Sequence, residues 1–302
     1  MLQPVRAEAL TKGESALPWL PLAERVAQWI DEADMVLVGL GSGMSEADGY
    51  GHYRWHPYFS DALAPFREKY GFTSPFAGFY HLFSDYESQW GYYSAYTLAM
   101  LEAPLGDAYR NLAHILDGKD CFVITSNVDG LARRAFHKDG VHAFQGDFGY
   151  LQCGQPCADE LHESAPRVRE MMARLDENLK VPSELVPRCP HCGRVMVPWV
   201  RDDAFLEGAA WIESAKRYQA FIDRMLERGR NALLLEIGVG DMTPGVIRLP
   251  FMALSQKRDF VRHAVVNVTG ESSVSADGRR LRVAGDAGEV IAAIKNMRKG
   301  RA

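Results

Sequence analysis

The sequence contains no long apolar run and no large excess of either charge. Its 302 residues carry a net charge of −5, which gives no reason to expect a nucleic-acid partner. No apolar stretch approaches the ~18 residues that a membrane-spanning helix needs. The N-terminal stretch includes Arg6, Glu8, Lys12 and Glu14 and lacks the apolar core of a secretory signal. We therefore predict a cytoplasmic protein with neither a membrane nor a nucleic-acid partner.

Cysteine is also scarce. Five cysteines are too few for a disulfide scaffold in a chain of this length. Four of them form two close pairs, Cys153 with Cys157 and Cys189 with Cys192. Zinc prefers four tetrahedral ligands, and thiolates in two short loops supply them. We predict that these four cysteines bind a structural zinc ion without a chemical role, against the alternatives of free thiols or a redox pair. Cys121, in an apolar run, is expected in the core.

Short apolar runs alternate with amphipathic segments along most of the chain. Buried strands are predicted at Met35–Leu40, Cys121–Thr125, Val141–Phe144, Ala232–Ile237 and Ala264–Val268. Helices are predicted at Pro21–Ala33, Tyr109–Leu116, Leu131–Phe136, Trp211–Arg228 and after Asp286. This alternation predicts an α/β fold with a doubly wound parallel sheet covered on both faces. The aromatic-rich region from 50 to about 100 is predicted to be a helical insertion.

Two glycines, Gly41 and Gly43, directly follow the first predicted strand. In a doubly wound sheet this turn binds phosphate, because glycine lets the backbone approach a pyrophosphate and the next helix offers free N–H groups. Tight turns use the same residues, so a purely structural turn remains an alternative. Glu46 occupies the position of the third glycine of the dehydrogenase fingerprint, which disfavours that class of enzyme.

Three segments of the sequence resemble motifs of the sirtuin family. The segment Gly41–Arg54 resembles the first motif and Thr125–Asp129 the second. Gln145-Gly146, at the family's distance from Cys153, resembles the third. The resemblance implies a Rossmann-type NAD-binding domain at 1–148 and 206–302, with a helical insertion at about 50–100 and a small zinc module at 149–205. NAD would lie in the cleft between them.

Carried over by position, the resemblance also implies individual roles. The residues implied to bind NAD are Gly41, Ser42, Gly43, Ser45, Arg54, Ser126, Asn127, Asp129, Gln145, Gly238, Val239, Asn267 and Asp286. Asn127, Asp129 and Gln145 would form the catalytic group. Outside the family context, a turn role after a strand is the favoured interpretation of Asn127 and Asp129. A surface position is the alternative for Arg54.

The sequence departs from deacylating sirtuins at the position of their histidine base, which is Gln145 here. Glutamine has no basic nitrogen to accept a proton, so deacylation should be severely impaired. His142 breaks the motif spacing and is not expected to replace the base. His52 stands where the family usually has aspartate. The segment Trp199–Phe205 carries charges where deacylases have an apolar peptide-binding strand, which argues against an acyl-lysine tunnel.

This combination resembles the class M sirtuins, which occur in microbes beside macrodomain proteins. The resemblance implies an NAD-dependent protein mono-ADP-ribosyltransferase that acts under oxidative stress. It implies an acceptor similar to the lipoyl-carrying glycine-cleavage H protein, and a macrodomain hydrolase that removes the mark. The alternatives are a deacylase with residual activity, an NAD hydrolase in which water replaces the acceptor, and a non-catalytic NAD sensor.

Overall fold

The computed structural model describes residues 2–4, 17–229 and 231–299. The predictions drawn from the charges of residues 6–14 concern a segment outside the described residues. Within the described part of the chain, no helix is long and apolar enough to cross a membrane.

Helices and strands alternate along the chain. The helices are α1 (Leu20–Glu32), α2 (Ser42–Ala47), α3 (Pro57–Ala62), α4 (Ala64–Tyr70), α5 (Pro75–Phe79), α6 (Tyr86–Glu102), α7 (Asp107–Ile115), α8 (Leu131–Ala135), α9 (Ala165–Ala173), α10 (Ala209–Arg228), α11 (Arg248–Lys257) and α12 (Ala287–Lys299). The strands are β1 (Leu2–Pro4), β2 (Met35–Leu40), β3 (Asp120–Thr125), β4 (Val141–Ala143), β5 (Gly146–Cys153), β6 (His162–Glu163), β7 (Met196–Val200), β8 (Ala232–Ile237), β9 (Val261–Asn267), β10 (Ser273–Ser275) and β11 (Arg280–Ala284).

The main sheet has the strand order β1-β10-β11-β9-β8-β2-β3-β4. The strands from β11 to β4 pair in parallel, whereas β10 and β1 add an antiparallel edge. The five predicted strands are confirmed, with small shifts at their ends. The short edge strands carry no long apolar run and were not predicted from the sequence.

Helices cover both faces of this sheet, as the side chains of β2 illustrate. Val36 and Val38 point into one apolar cluster, which includes the inward faces of α1, α7 and α12. Met35 and Leu37, one residue out of phase, point into a second cluster with residues of α10 and α11. Alternate residues of a strand face opposite sides of a sheet, and both sides here are buried. The prediction of a doubly wound α/β fold is confirmed.

Two additions extend the sheet's carboxyl edge. The helices α3 to α6 lie between β2 and β3 in sequence, so the predicted helical insertion is confirmed. The strands β6, β5 and β7 form a separate three-stranded antiparallel sheet that carries Cys153 at its end. Helix α6 of the insertion packs on α9, which lies between the two cysteine pairs in sequence.

Candidate active site

Two glycine-containing loops meet where β2 and β8 end. The Gly41 amide donates to the Ile237 carbonyl at 3.0 Å, and the Gly43 amide donates to the Gly238 carbonyl at 2.9 Å. A Cβ atom on Gly41 would lie 2.5 Å from the Gly238 carbonyl oxygen, and one on Gly43 would lie 2.7 Å from the Gly238 Cα. Gly238 itself has a φ of +62°. These glycines are therefore required for the loops to pack together, a constraint that is separate from any approach of phosphate.

Asn127 ties the loop after β3 to the loop after β2. Its Nδ2 donates to the Gly41 carbonyl at 2.9 Å and to Ser45 Oγ at 3.1 Å. It also lies 3.3 Å from the hydroxyl of Tyr109. The Asn127 oxygen, Oδ1, has no hydrogen-bond partner among the described residues. One half of this amide therefore organises the loops, while the other half is available to a ligand.

Asp129 is a buried carboxylate beside Asn127. Ser45 Oγ donates to its Oδ2 at 2.5 Å, and the Leu131 amide donates to its Oδ1 at 2.9 Å. Burial by itself would raise the pKa of Asp129, but neighbouring His52, Ser45 and the Leu131 amide outweigh burial and hold it below its ordinary value. Asp129 is therefore an ionised group in the interior, which favours positive charge nearby.

A narrow cavity of about 80 Å³ opens beside this network. Four of the residues predicted to bind NAD line it: Ser42, Ser126, Asn127 and Gln145. We call this cavity the Asn127 pocket. The side-chain amide of Gln145 has no hydrogen-bond partner among the described residues, although its backbone carbonyl accepts from the Arg201 amide at 2.9 Å. Aromatic rings of the helical insertion, including Phe79 and Tyr96, form much of the remaining wall.

Two histidines near the motifs have different environments. His52 lines the Asn127 pocket, hydrogen-bonds to Tyr96 and lies beside Asp129. His142 instead lines a larger, mostly apolar cavity of about 770 Å³ that includes none of the predicted site residues. The His142 Nδ1 is hydrogen-bonded to Ser214 Oγ, and burial lowers the pKa of His142 to about 4. The expectation that His142 does not replace the missing base agrees with this separate position.

The segment after β7 is held by aromatic packing. The Arg201 guanidinium lies 4.7 Å from the Phe144 ring centre, 4.3 Å from that of Phe205 and 5.2 Å from that of Trp211. It also donates to the Phe144 carbonyl and pairs with Glu207. Arg201 contributes to the wall of the Asn127 pocket. One charged side chain of the Trp199–Phe205 segment therefore lies at this pocket.

A second polar cluster, the Glu236 network, lies beneath the Gly238 loop. Glu236 accepts from Arg248 Nε at 3.0 Å and lies 3.2 Å from His263 Nε2. Arg248 also donates to the Val239 carbonyl, and Asn267 Nδ2 donates to the same oxygen at 2.8 Å. Glu236 and His263 are buried. Two of the residues predicted to bind NAD, Val239 and Asn267, are thus hydrogen-bonded to each other.

Two predicted residues lie away from these groups. Arg54 pairs with Glu46 and His56, and its side chain is 70% exposed outside the pocket lining. Asp286 accepts from the Gly288 and Glu289 amides and caps α12, as its sequence pattern indicated. Their predicted contacts with NAD remain predictions.

Sequence reasoning missed three aromatic or imidazole contacts in the site. The sequence pattern indicates only a helix for Tyr109, only the insertion for Tyr96, and only a departure from the family pattern for His52. Tyr96 lies in α6 and Tyr109 in α7, and these helices bring the two hydroxyl groups to His52 and Asn127. The periodicity of those helices gave no signal for these polar contacts.

The four paired cysteines converge as predicted. Their sulfur atoms all lie within 4.8 Å of one another, with 3.6 Å between Cys153 and Cys192 and 3.5 Å between Cys157 and Cys189. A tetrahedral Zn–S distance of about 2.3 Å requires sulfurs roughly 3.8 Å apart. Gly193, at a φ of +73°, makes the turn after Cys192. The residues fit a structural zinc ion. Cys121, in β3, is partly buried against the core.

Comparison with known proteins adds sequence relatives. No family model matches the chain. The chain is 30% identical over 250 residues to the "Protein ADP-ribosyltransferase" of Staphylococcus aureus (strain Mu50 / ATCC 700699), covering 81% of this chain and 78% of that protein. It is 34% identical over 240 residues to a "Probable bifunctional ADP-ribose hydrolase/ADP-ribosyltransferase" of Fusarium oxysporum f. sp. cubense. That match covers 77% of this chain and 40% of the longer fungal protein.

Solved structures identify the fold. A Sir2 homologue in complex with NAD has a TM-score of 0.57 at 19% identity, over 92% of this chain and 95% of that chain. A Sir2 mutant with a p53 peptide and NAD has a TM-score of 0.58 at 17% identity, over 93% of this chain and 99% of that chain.

A doubly wound sheet with an inserted helical region and a four-cysteine cluster, matched to these structures, defines a Sir2-type α/β protein. The chain has the Sir2 fold and belongs to the same family as the staphylococcal protein ADP-ribosyltransferase.

Proposed function

We propose that this protein is an NAD-dependent protein mono-ADP-ribosyltransferase of the class M type. In this reaction the bond between nicotinamide and C1′ of the ribose breaks, and a nucleophile of the protein acceptor forms a new bond to C1′. Both sequence relatives carry ADP-ribosyltransferase in their names. The proposal extends that activity to this chain.

The observation that carries the proposal is the chemistry of the Asn127 pocket. Gln145 contributes an amide without a hydrogen-bond partner among the described residues, at the position where deacylases need a base. An amide positions hydroxyl groups but does not remove their protons at neutral pH. The pocket therefore supports nicotinamide cleavage better than the proton removal on which deacylation depends.

The residues beside the pocket favour a transition state in which positive charge develops on the ribose. The Asp129 carboxylate is buried and held ionised, and Asn127 Oδ1 is an acceptor without a partner among the described residues. Fixed negative charge and dipoles in a water-poor site stabilise such charge more than water does. We assign Asn127 and Asp129 to ribose and nicotinamide, Gln145 to ribose and acceptor, and the Gly41 and Gly238 loops to the remainder of NAD.

The acceptor that we propose first is a lipoyl-carrying protein similar to the glycine-cleavage H protein. The fungal relative's name joins an ADP-ribose hydrolase and a transferase in one protein. That pairing supports the proposal that a macrodomain hydrolase acts on this enzyme's product. We place this cycle in the cytoplasm, in the response to oxidative stress.

Incubation with labelled NAD and a lipoylated H-like carrier tests the proposal. We expect the wild type to transfer label to the carrier, and Asn127→Ala and Gln145→Ala to lose transfer. The unlipoylated carrier is the matched control for acceptor recognition. Nicotinamide release without protein labelling would instead indicate an NAD hydrolase. Turnover of an acyl-lysine peptide would indicate a deacylase, and NAD binding with no nicotinamide release would indicate a sensor.

A further inference from the structure

His52, which lines the Asn127 pocket, carries a buried polar atom without a partner among the described residues. Its Nε2 is buried and has no hydrogen-bond partner within the described part of the chain, and the side chain is 12% exposed. The Asp129 oxygen at 3.8 Å is too distant for a hydrogen bond. An unpaired buried donor or acceptor costs free energy. A ligand that pairs with Nε2 would recover that cost.

The contact with Tyr96 decides whether Nε2 is a donor or an acceptor. The Tyr96 hydroxyl lies 2.7 Å from His52 Nδ1. Burial, followed by neighbouring Tyr92, raises the pKa of Tyr96 well above its ordinary value, so the hydroxyl keeps its proton. Among the described residues this hydroxyl has no other hydrogen-bond partner. It therefore donates to Nδ1, and the ring proton lies on Nε2.

The opposite tautomer is disfavoured by two contacts. It would leave the Tyr96 proton without an acceptor, and it would aim the Nε2 lone pair towards the Asp129 carboxylate. With the proton on Nε2, the N–H dipole instead interacts favourably with that carboxylate. His52 is thus an N–H donor held in position from both sides of its ring.

The rest of the pocket indicates what the donor would meet. Phe79, Tyr96 and Phe148 supply aromatic walls, and Asn127 Oδ1 supplies an acceptor without a partner among the described residues. A narrow site with flat walls that offers a donor at His52 and an acceptor at Asn127, besides the Gln145 amide, matches an aromatic ring that carries a primary amide. We propose that His52 Nε2–H donates to the carboxamide oxygen of nicotinamide and is a specificity-determining residue for the cofactor's nicotinamide half. This inference rests on the proposed NAD chemistry and adds a residue to it.

Direct binding measurements separate this role from a structural one. Isothermal titration would compare the wild type with His52→Phe, which keeps a flat ring without nitrogen, and His52→Gln, which restores an N–H near the Nε2 position. The ligands are NAD, ADP-ribose, which lacks nicotinamide, and the 3-acetylpyridine analogue of NAD, which keeps the carbonyl oxygen but has no amide nitrogen.

We expect His52→Phe to weaken binding of NAD and of the acetylpyridine analogue about tenfold each. ADP-ribose should bind the variant as it binds the wild type, and His52→Gln should recover most of the lost affinity. An equal loss for ADP-ribose would mean that His52 is structural. Unchanged NAD affinity, or a loss confined to NAD and absent with the acetylpyridine analogue, would overturn the assigned hydrogen bond. If the wild type binds neither NAD nor ADP-ribose, the proposed function itself fails.

Discussion

The Asn127 pocket and the Glu236 network lie at the same edge of the sheet, yet they differ in how far their polar groups are hydrogen-bonded within the protein. In the Glu236 network the buried Glu236 carboxylate has two partners, and the Val239 carbonyl accepts from both Arg248 and Asn267. In the pocket, His52 Nε2 lacks a partner among the described residues, as do Asn127 Oδ1 and the Gln145 amide.

The difference separates stability from ligand recognition. A saturated buried network fixes the loop above it, and losing one member leaves an uncompensated charge. An unsaturated pocket stabilises the fold less and leaves its groups available for a ligand. Substitutions in the network should therefore affect unfolding first, and substitutions in the pocket should affect binding and turnover first.

The largest expected effect is on stability in the Glu236 network. Glu236→Ala should lower the free energy of unfolding by about 3–5 kcal/mol, because it removes the hydrogen-bond partner of the buried His263 and one of the acceptors of Arg248. Gln145→Ala, the matched change in the pocket, should cost less than ~1 kcal/mol, since no described hydrogen bond of its side chain is lost. Urea unfolding measures both. Equal losses would remove the distinction between the two regions.

The next effect compares two asparagines that each bond to a loop carbonyl. Asn127 donates to the Gly41 carbonyl, and Asn267 donates to the Val239 carbonyl. Each change to alanine should cost about 1–3 kcal/mol of stability. Only Asn127→Ala should lower kcat for nicotinamide release, by about 10²–10³-fold, because it removes a group beside the reacting ribose. Asn267→Ala should mainly raise KM for NAD. A similar fall in kcat for both would indicate that loop position, not pocket chemistry, limits the rate.

A stability effect of similar size is expected where the two loops pack together. Gly43→Ala would place a Cβ 2.7 Å from the Gly238 Cα, whereas Gly240→Ala meets nothing within 4 Å. The first change should destabilise the protein by about 1–3 kcal/mol through overpacking, and the second should be close to neutral. Thermal unfolding of the pair checks this. Tolerance of Gly43→Ala would mean that the loops separate easily.

This packing also shows how far the sequence could predict the site. The glycine turn, the loop asparagine and the four cysteines are local patterns, and the sequence placed each of them at a strand end or in a close pair. The contact of Gly43 with Gly238 joins residues far apart in sequence, and the same holds for Asn127 with Tyr109. His142 shows that residues close in sequence need not share a site. It is near Gln145 in sequence, but alternation along β4 and the packing of α10 put it in another cavity.

The pH dependence of stability offers a further test of the Glu236 network. Burial would raise the pKa of Glu236, but His263 and Arg248 outweigh it and lower the pKa below the ordinary value of 4.5. Because the folded pKa is lower than the unfolded one, the carboxylate's contribution is complete above pH 4.5 and is lost as pH falls through the folded pKa. The stability difference between wild type and Glu236→Gln should therefore shrink on acidification from pH 5 to about pH 3. A difference that stays constant would mean that Glu236 is not ionised in the folded protein.

The smallest change in stability should come from Arg54, which belongs to neither region. The Arg54 side chain of its ion pair with Glu46 is 70% exposed, so Arg54→Ala should alter the free energy of unfolding by less than ~1 kcal/mol. Glu46 lies in α2, which begins at Ser42 beside the glycine turn. Because the ion pair contributes little, the long Arg54 side chain can leave Glu46 at little cost in free energy. If Arg54 contacts the phosphates of NAD in the complex, Arg54→Ala removes a charge-assisted hydrogen bond. The affinity for ADP-ribose should then fall about tenfold or more. We expect that loss, measured by titration, with Arg67→Ala, in α4, as the control for a basic residue elsewhere in the insertion. Unchanged ADP-ribose affinity would make Arg54 a surface residue and confine the phosphate contacts to the two glycine loops.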